Sequence, residues 1–145
     1  MQQRSALISV ILAIAILATV TTALTTYTYL NRSNSSTLVT VVSIPKGSSI
    51  EPIGFSSQSF LAGSYTYPFN FTVTIGLNNT VEWINNDTVD HTVTAFAAPS
   101  GAQMFNSGLI HPGSTFTATL TISGIYKYTC AWHQWLAGQI TVKPR

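Results

Sequence analysis

The chain has 145 residues, only 7% of them charged, with a formal net charge of +2, which leaves room for one domain of ordinary size and an appendage. Its six basic residues, Arg4, Arg32, Lys46, Lys127, Lys143 and Arg145, are scattered, which excludes both a nucleic-acid footprint and a polybasic membrane patch. The single cysteine excludes an internal disulfide, so the thiol is a reactive group, a metal ligand or an ordinary buried side chain.

From Ser5 to Asn31 there is no charge, and the run "ALISVILAIAILA" (Ala6 to Ala18) is apolar, with a Thr-rich continuation that brings it to spanning length. Residues 1–30 therefore read as a transmembrane anchor or signal sequence. A retained helix is expected over a cleaved signal because the uncharged stretch exceeds the usual signal-peptide core, although Thr21 and Ala23 supply a small-x-small cleavage pattern. The expectation is a single pass through the cytoplasmic membrane with the rest of the chain on the extracytoplasmic side. Sequons at Asn31, Asn34, Asn70, Asn78 and Asn86 suit that side. Residues 31–37, "NRSNSST", read as a flexible linker.

From residue 38 to 145 the chain reads as strands. "FNFTVTIG" sets Phe69, Phe71, Val73 and Ile75 on one face, and "TFTATLTI" does the same with Phe116, Ala118, Leu120 and Ile122; a period of two with one apolar face marks a half-buried strand. Further strands are expected at Leu38–Ile44, Thr80–Asn85, His91–Phe96, Ile125–Cys130 and Gln139–Lys143. Turn signals separate them at Asn78–Asn79, Asn85–Asp87, Pro99–Gly101, Pro112–Gly113 and Ser123–Gly124. Lys46 to Pro68 reads as a long irregular connection. The result is an all-β fold, a Greek-key sandwich or barrel of about seven or eight strands.

In such a fold the loops at one end of the two sheets converge. Cys130 closes one expected strand, His133 stands in the loop after it, and His91 opens an earlier strand. Taken alone, His91 is an ordinary strand residue, and His133 and His111 ordinary exposed ones. A thiolate with two imidazoles, however, is the trigonal ligand set of blue-copper electron-transfer centres, usually completed by a weak axial methionine. Zinc accepts the same three residues, but a structural zinc site wants a fourth protein ligand.

The stretches "VEWINNDTVDHTV" (Val81 to Val93) and "FNSGLIHPGSTFTATLTISGIYKYTCAWHQWLAGQITV" (Phe105 to Val142) resemble the cupredoxins of the plastocyanin and amicyanin type, over about Leu38 to Lys143. The resemblance implies a cupredoxin fold, one copper ion cycling between Cu(I) and Cu(II), and His91, Cys130 and His133 as its ligands. It places Leu136 where amicyanin-like members carry the axial methionine, which implies a three-coordinate copper of raised reduction potential; the Gln139 side chain and the Asp90 carbonyl are the other oxygen donors to weigh. Thr92 is expected to steady the ligand loops. Trp132 and Trp135, inside the ligand loop, are expected to shield the copper or to form a docking surface.

The function implied is single-electron transfer between redox protein partners, among them respiratory chain complexes. The alternative is a copper carrier or storage module on the same fold. Enzymatic chemistry is not expected. Thr129 and Ala131 stand where multicopper oxidases flank the thiolate with histidines, and a binuclear centre needs a second cysteine.

Overall fold

A computed structural model describes residues 14–28, 37–56, 58 and 70–145. The chain divides into two units, Met1–Ser36 and Thr37–Arg145. In the first, a helix covers residues 14–28. Its Thr19, Thr21, Thr22, Thr25, Thr26 and Thr28 hydroxyls donate back to carbonyls three or four residues earlier, so hydroxyls that otherwise compete with the helix are absorbed by it. Among the described residues no helix is long and apolar enough to cross a membrane. Most of the Ala6–Ala18 run, and the linker over 31–36, lie outside them.

In its described residues the second unit is a two-sheet β-sandwich of seven strands: β1 (Val39–Ile44), β2 (Phe71–Thr74), β3 (Thr80–Asn85), β4 (Thr94–Ala97), β5 (Thr115–Thr119), β6 (Gly124–Thr129) and β7 (Ala137–Lys143). One sheet has the order β1-β3-β5 and the other β2-β7-β6-β4. Each connection from β1 through to β6 changes sheet, and only β6 and β7 form a direct antiparallel pair along the chain. The parallel pairs β1–β3 and β2–β7 follow from that alternation.

The alternating pattern decides what is inside. Val42 and Ile44 of β1, Val81 and Trp83 of β3, Tyr126 and Tyr128 of β6, and Ile140 and Val142 of β7 face a common core, joined by Val73 of β2. Trp83 is its centre, with ring centroids 5.4 Å from Phe105, 5.8 Å from Phe116 and 5.5 Å from Tyr128; such aromatic pairs add to the stabilisation from burial alone. Expected turns appear at Pro112–Gly113, where Gly113 has φ +77° and Ser114 N–H donates to the His111 carbonyl, and at Gly124. There a Cβ would lie 2.6 Å from Pro99 Cγ, so only glycine lets the chain pass.

Two expected strands are shorter than their alternation suggests. The ladder of β5 ends at Thr119; Leu120 remains buried, but Ile122 is exposed. The expected strand from His91 begins as a ladder only at Thr94. The donors before it are used elsewhere: Thr92 N–H points at Cys130 Sγ and Val93 N–H at Ser107 Oγ. His91 instead forms an isolated bridge with Ile110. Phe69 lies outside the described residues.

Trp83→Ala is expected to cost about 3–5 kcal/mol, the range for emptying a large aromatic site in a packed core. Denaturant unfolding of the copper-free protein checks it, and a loss near zero would show that Trp83 does not organise the core.

Candidate metal centre

The alternation of β6 that buries Tyr126 and Tyr128 continues one step beyond the strand and buries Cys130 on the same face. The chain then reverses at once. Cys130 N–H donates to the Leu136 carbonyl at 2.9 Å, and Leu136 N–H donates to the His133 carbonyl at 2.8 Å, so Thr129 and Ala137 already pair as strand neighbours. A loop closed this tightly turns His133 back over the cysteine.

His91 comes from the opposite direction and is held by its own backbone, which donates to and accepts from Ile110 at 3.1 and 2.8 Å. Asn85, the last residue of β3 and fully buried, fixes the intervening segment: its amide nitrogen donates to the carbonyls of Val89 and Ile110, and its oxygen accepts the Asp87 N–H.

The three side chains meet at their donor atoms. Cys130 Sγ is 3.8 Å from His91 Nδ1 and 3.4 Å from His133 Nδ1, and all three ligand atoms lie within 4.8 Å of one another. The far nitrogen of His91, Nε2, is 2.9 Å from Asp87 Oδ2. Burial by itself would raise the Asp87 pKa, but the N–H groups of Gly47, the His91 ring, Thr88 and Ser49 together hold it well below the usual carboxylate range. An ionised carboxylate only accepts, so the hydrogen bond between them calls for a proton on Nε2, and Nδ1 is the ring atom that faces the cysteine. His133 is pushed towards its neutral form, first by burial and then by His91, with Asp87 opposing. Thr92 joins the two arms: its N–H lies 3.4 Å from Cys130 Sγ and its Oγ1 accepts Ala131 N–H at 2.8 Å.

This donor set fits copper. It offers one sulfur and two imidazole nitrogens from a β framework, a soft and mixed set in a trigonal arrangement. Among the described residues no further histidine, cysteine or carboxylate joins the cluster, as a closed structural zinc site would require. The residues brought together are therefore the three that the sequence points to.

The remaining candidates separate. Leu136 is buried in the core cluster that contains Cys130 and offers no donor atom from its side chain. Trp132 is 57% exposed. Trp135, in contrast, is turned inward, its ring 5.3 Å from that of His133 and its Nε1 donating to the Ser48 carbonyl. Gln139 sits within β7 opposite Lys127, two register positions beyond Thr129. The Asp90 carboxylate pairs with the exposed His111 at 2.8 Å. Asp87, Asn85 and Ser48 are site residues that the sequence reading misses; the signal available for the first is the Asp87–His91 spacing of four, which a turn brings within hydrogen-bond reach.

Comparison with known proteins agrees with this geometry. The profile of the copper binding proteins of the plastocyanin/azurin family matches residues 62–143. Amicyanin from Paracoccus denitrificans is 26% identical over 69 residues, covering 48% of this chain and 53% of that protein; the chain thus spans about half the length of the curated relative it matches. Among solved structures, a novel purple cupredoxin from Nitrosopumilus maritimus is 28% identical with a TM-score of 0.52, covering 72% of this chain and 99% of that one. The oxidised form of a methionine-to-leucine variant of amicyanin is 25% identical with a TM-score of 0.50, covering 72% of this chain and 81% of that one.

Thr92→Val keeps the shape of the side chain but leaves the Ala131 N–H without its acceptor. It is expected to lower the stability of the copper-free protein by about 1 kcal/mol, read by denaturant unfolding, with Thr92→Ser recovering most of the loss. Equal losses in both variants would show that packing, not the hydrogen bond, ties the two arms.

Proposed function

The chain belongs to the plastocyanin/azurin family of copper binding proteins, and from that premise we propose that it is a type 1 copper electron carrier, tethered to the cytoplasmic membrane with its copper domain on the outer side. The observation that carries this reading is the preformed ligand set, with Cys130 Sγ 3.8 and 3.4 Å from the Nδ1 atoms of His91 and His133 and one ligand atom from each residue within 4.8 Å of the others. Bound copper supplies a one-electron couple between Cu(I) and Cu(II).

The protein supplies rigidity and access. Cys130 and His91 are fully buried and fixed by hydrogen bonds, Cys130 accepting from Thr92 N–H and His91 bonded through Nε2 to the Asp87 carboxylate, so they resist the change of geometry that each oxidation state would otherwise favour. Such resistance keeps the reorganisation cost low, which suits electron transfer. His133 alone of the three is only half-buried. Its ring edge is the natural route for electrons, and the exposed indole of Trp132 beside it in the loop offers an apolar surface for brief contact with a redox protein donor or acceptor.

Leu136 occupies the axial position in this reading. Without a thioether lone pair it does little to stabilise Cu(II), and the potential rises relative to a methionine-bearing site. For the tether, support comes from the uncharged stretch between Ser5 and Asn31 and from the helix over 14–28, whose threonine hydroxyls return to its own carbonyls, as polar groups must in apolar surroundings. Residues 31–37 serve as the linker, and 38–145 as the copper domain.

Two experiments check the reading. An electron carrier shows fast electron self-exchange between its reduced and oxidised forms and gives up copper slowly to a competing chelator; rapid copper release with slow self-exchange would identify a carrier of the metal itself. Leu136→Met is expected to lower the reduction potential, by roughly 59 mV for each tenfold shift of the one-electron equilibrium. A redox titration that finds the native potential equal to or below that of the variant contradicts the axial assignment.

A further inference from the structure

We propose that Asp87 is the positioning residue of this copper site: its buried carboxylate fixes the ring nitrogen that His91 offers to the metal, and its negative charge lowers the reduction potential. The inference rests on the copper reading above and goes beyond it, since it assigns a role outside the ligand set.

The Asp87 side chain is only 1% exposed, and burying a carboxylate is expensive unless its oxygens are fully occupied. They are. Oδ1 accepts the N–H groups of Gly47 and Thr88, each at 2.8 Å; Oδ2 accepts the Ser49 N–H at 3.1 Å and faces His91 Nε2 at 2.9 Å. Three of these partners are backbone N–H groups, which can only donate, so they favour the ionised carboxylate. The fourth partner must then donate too, and the His91 ring can do so only with its proton on Nε2.

The consequence is a choice of ligand atom. An imidazole with its proton on Nδ1 would turn an N–H towards Cys130 Sγ; with the proton on Nε2 it turns a bare nitrogen there, at 3.8 Å. The turn that supplies Gly47 and Ser49 also supplies the Ser48 carbonyl to Trp135 Nε1 at 2.8 Å, and the Trp135 ring leans on His133. One short segment thus braces both arms of the site, through Asp87 on one side and Trp135 on the other.

The charge has a separate effect. With the carboxylate and the Cys130 thiolate both negative, the site is neutral when it holds Cu(II) and carries one uncompensated negative charge when it holds Cu(I). In a buried environment that charge is weakly screened, so Asp87 favours the oxidised state. It acts against the absence of a thioether at Leu136, and the working potential is the balance of the two.

The test uses the full-length protein. In the copper-free native protein, nitrogen-15 NMR of the histidine rings is expected to find His91 protonated at Nε2 and bare at Nδ1. In the copper-loaded Asp87→Asn variant, the potential is expected to rise by about 59 mV, the equivalent of a tenfold shift in a one-electron equilibrium, while Cu(II) affinity falls about 10–100-fold, as for other residues that orient a metal ligand. A proton on Nδ1 in the native protein, or a folded Asp87→Asn variant with the native potential, overturns the proposal. If the variant fails to fold, the ring measurement on the native protein decides it. Should the native protein bind copper without an intense blue band, the copper reading itself falls, and this inference with it; an intact band with an unchanged potential in the variant removes only the role of Asp87.

Discussion

The hydrogen bond from Cys130 N–H to the Leu136 carbonyl closes the ligand loop at the point where β6 gives way to β7, and the site's geometry depends on that closure. β6 delivers Tyr126, Tyr128 and Cys130 to one buried face. Because that hydrogen bond leaves only residues 131–135 to make the reversal, His133 is turned back across the thiol, at 3.4 Å. A longer loop would leave that distance to be set by copper. Here the fold sets it, through the same strand alternation that buries the aromatic core around Trp83. Stability of the sandwich and geometry of the site are thus one property.

The other arm is organised by polar groups rather than apolar ones. Where β3 ends, its inward alternation of Val81 and Trp83 continues into Asn85, and from there a connected network of Asn85, Asp87 and His91 runs to the site. Buried polar groups stabilise a fold only when each finds its partner. The carboxylate of Asp87 finds four, three of them backbone donors that cannot change role. The outcome is a histidine with a fixed proton beside a cysteine with a fixed position, which is what a metal centre that must not rearrange between oxidation states requires.

Much of this is legible in the sequence because the strands obey a period of two. β3 spans the residues that its alternation predicts, Thr80–Asn85, and β1, β6 and β7 differ from expectation by a residue or two at their ends. Cys130, His133 and His91 are legible because few residue types bind soft metals and because their loops fall at one end of the sandwich. What the alternation cannot reveal is where backbone donors turn to side chains. The segment from His91 to Val93 looks like strand, yet its N–H groups go to Ile110, Cys130 and Ser107, and the ladder starts later. Asp87 was hidden for a related reason: its partners Gly47 and Ser49 lie some forty positions away in an irregular turn, and no local pattern links them. The two tryptophans of the ligand loop are alike in sequence, and contacts far away in the chain, among them the Ser48 carbonyl and the Phe55 ring, distinguish the inward Trp135 from the exposed Trp132.

The central claim is that His91, Cys130 and His133 close on one copper ion as a thiolate-bound type 1 centre. Its most direct test is the visible absorption spectrum of the Cu(II)-loaded protein, recorded together with its electron paramagnetic resonance spectrum. The account predicts an intense thiolate-to-copper absorption band and a small parallel hyperfine splitting, both lost in Cys130→Ser. A weak band with the signal of ordinary square-planar copper would contradict it, because the three side chains would then not bind the metal together.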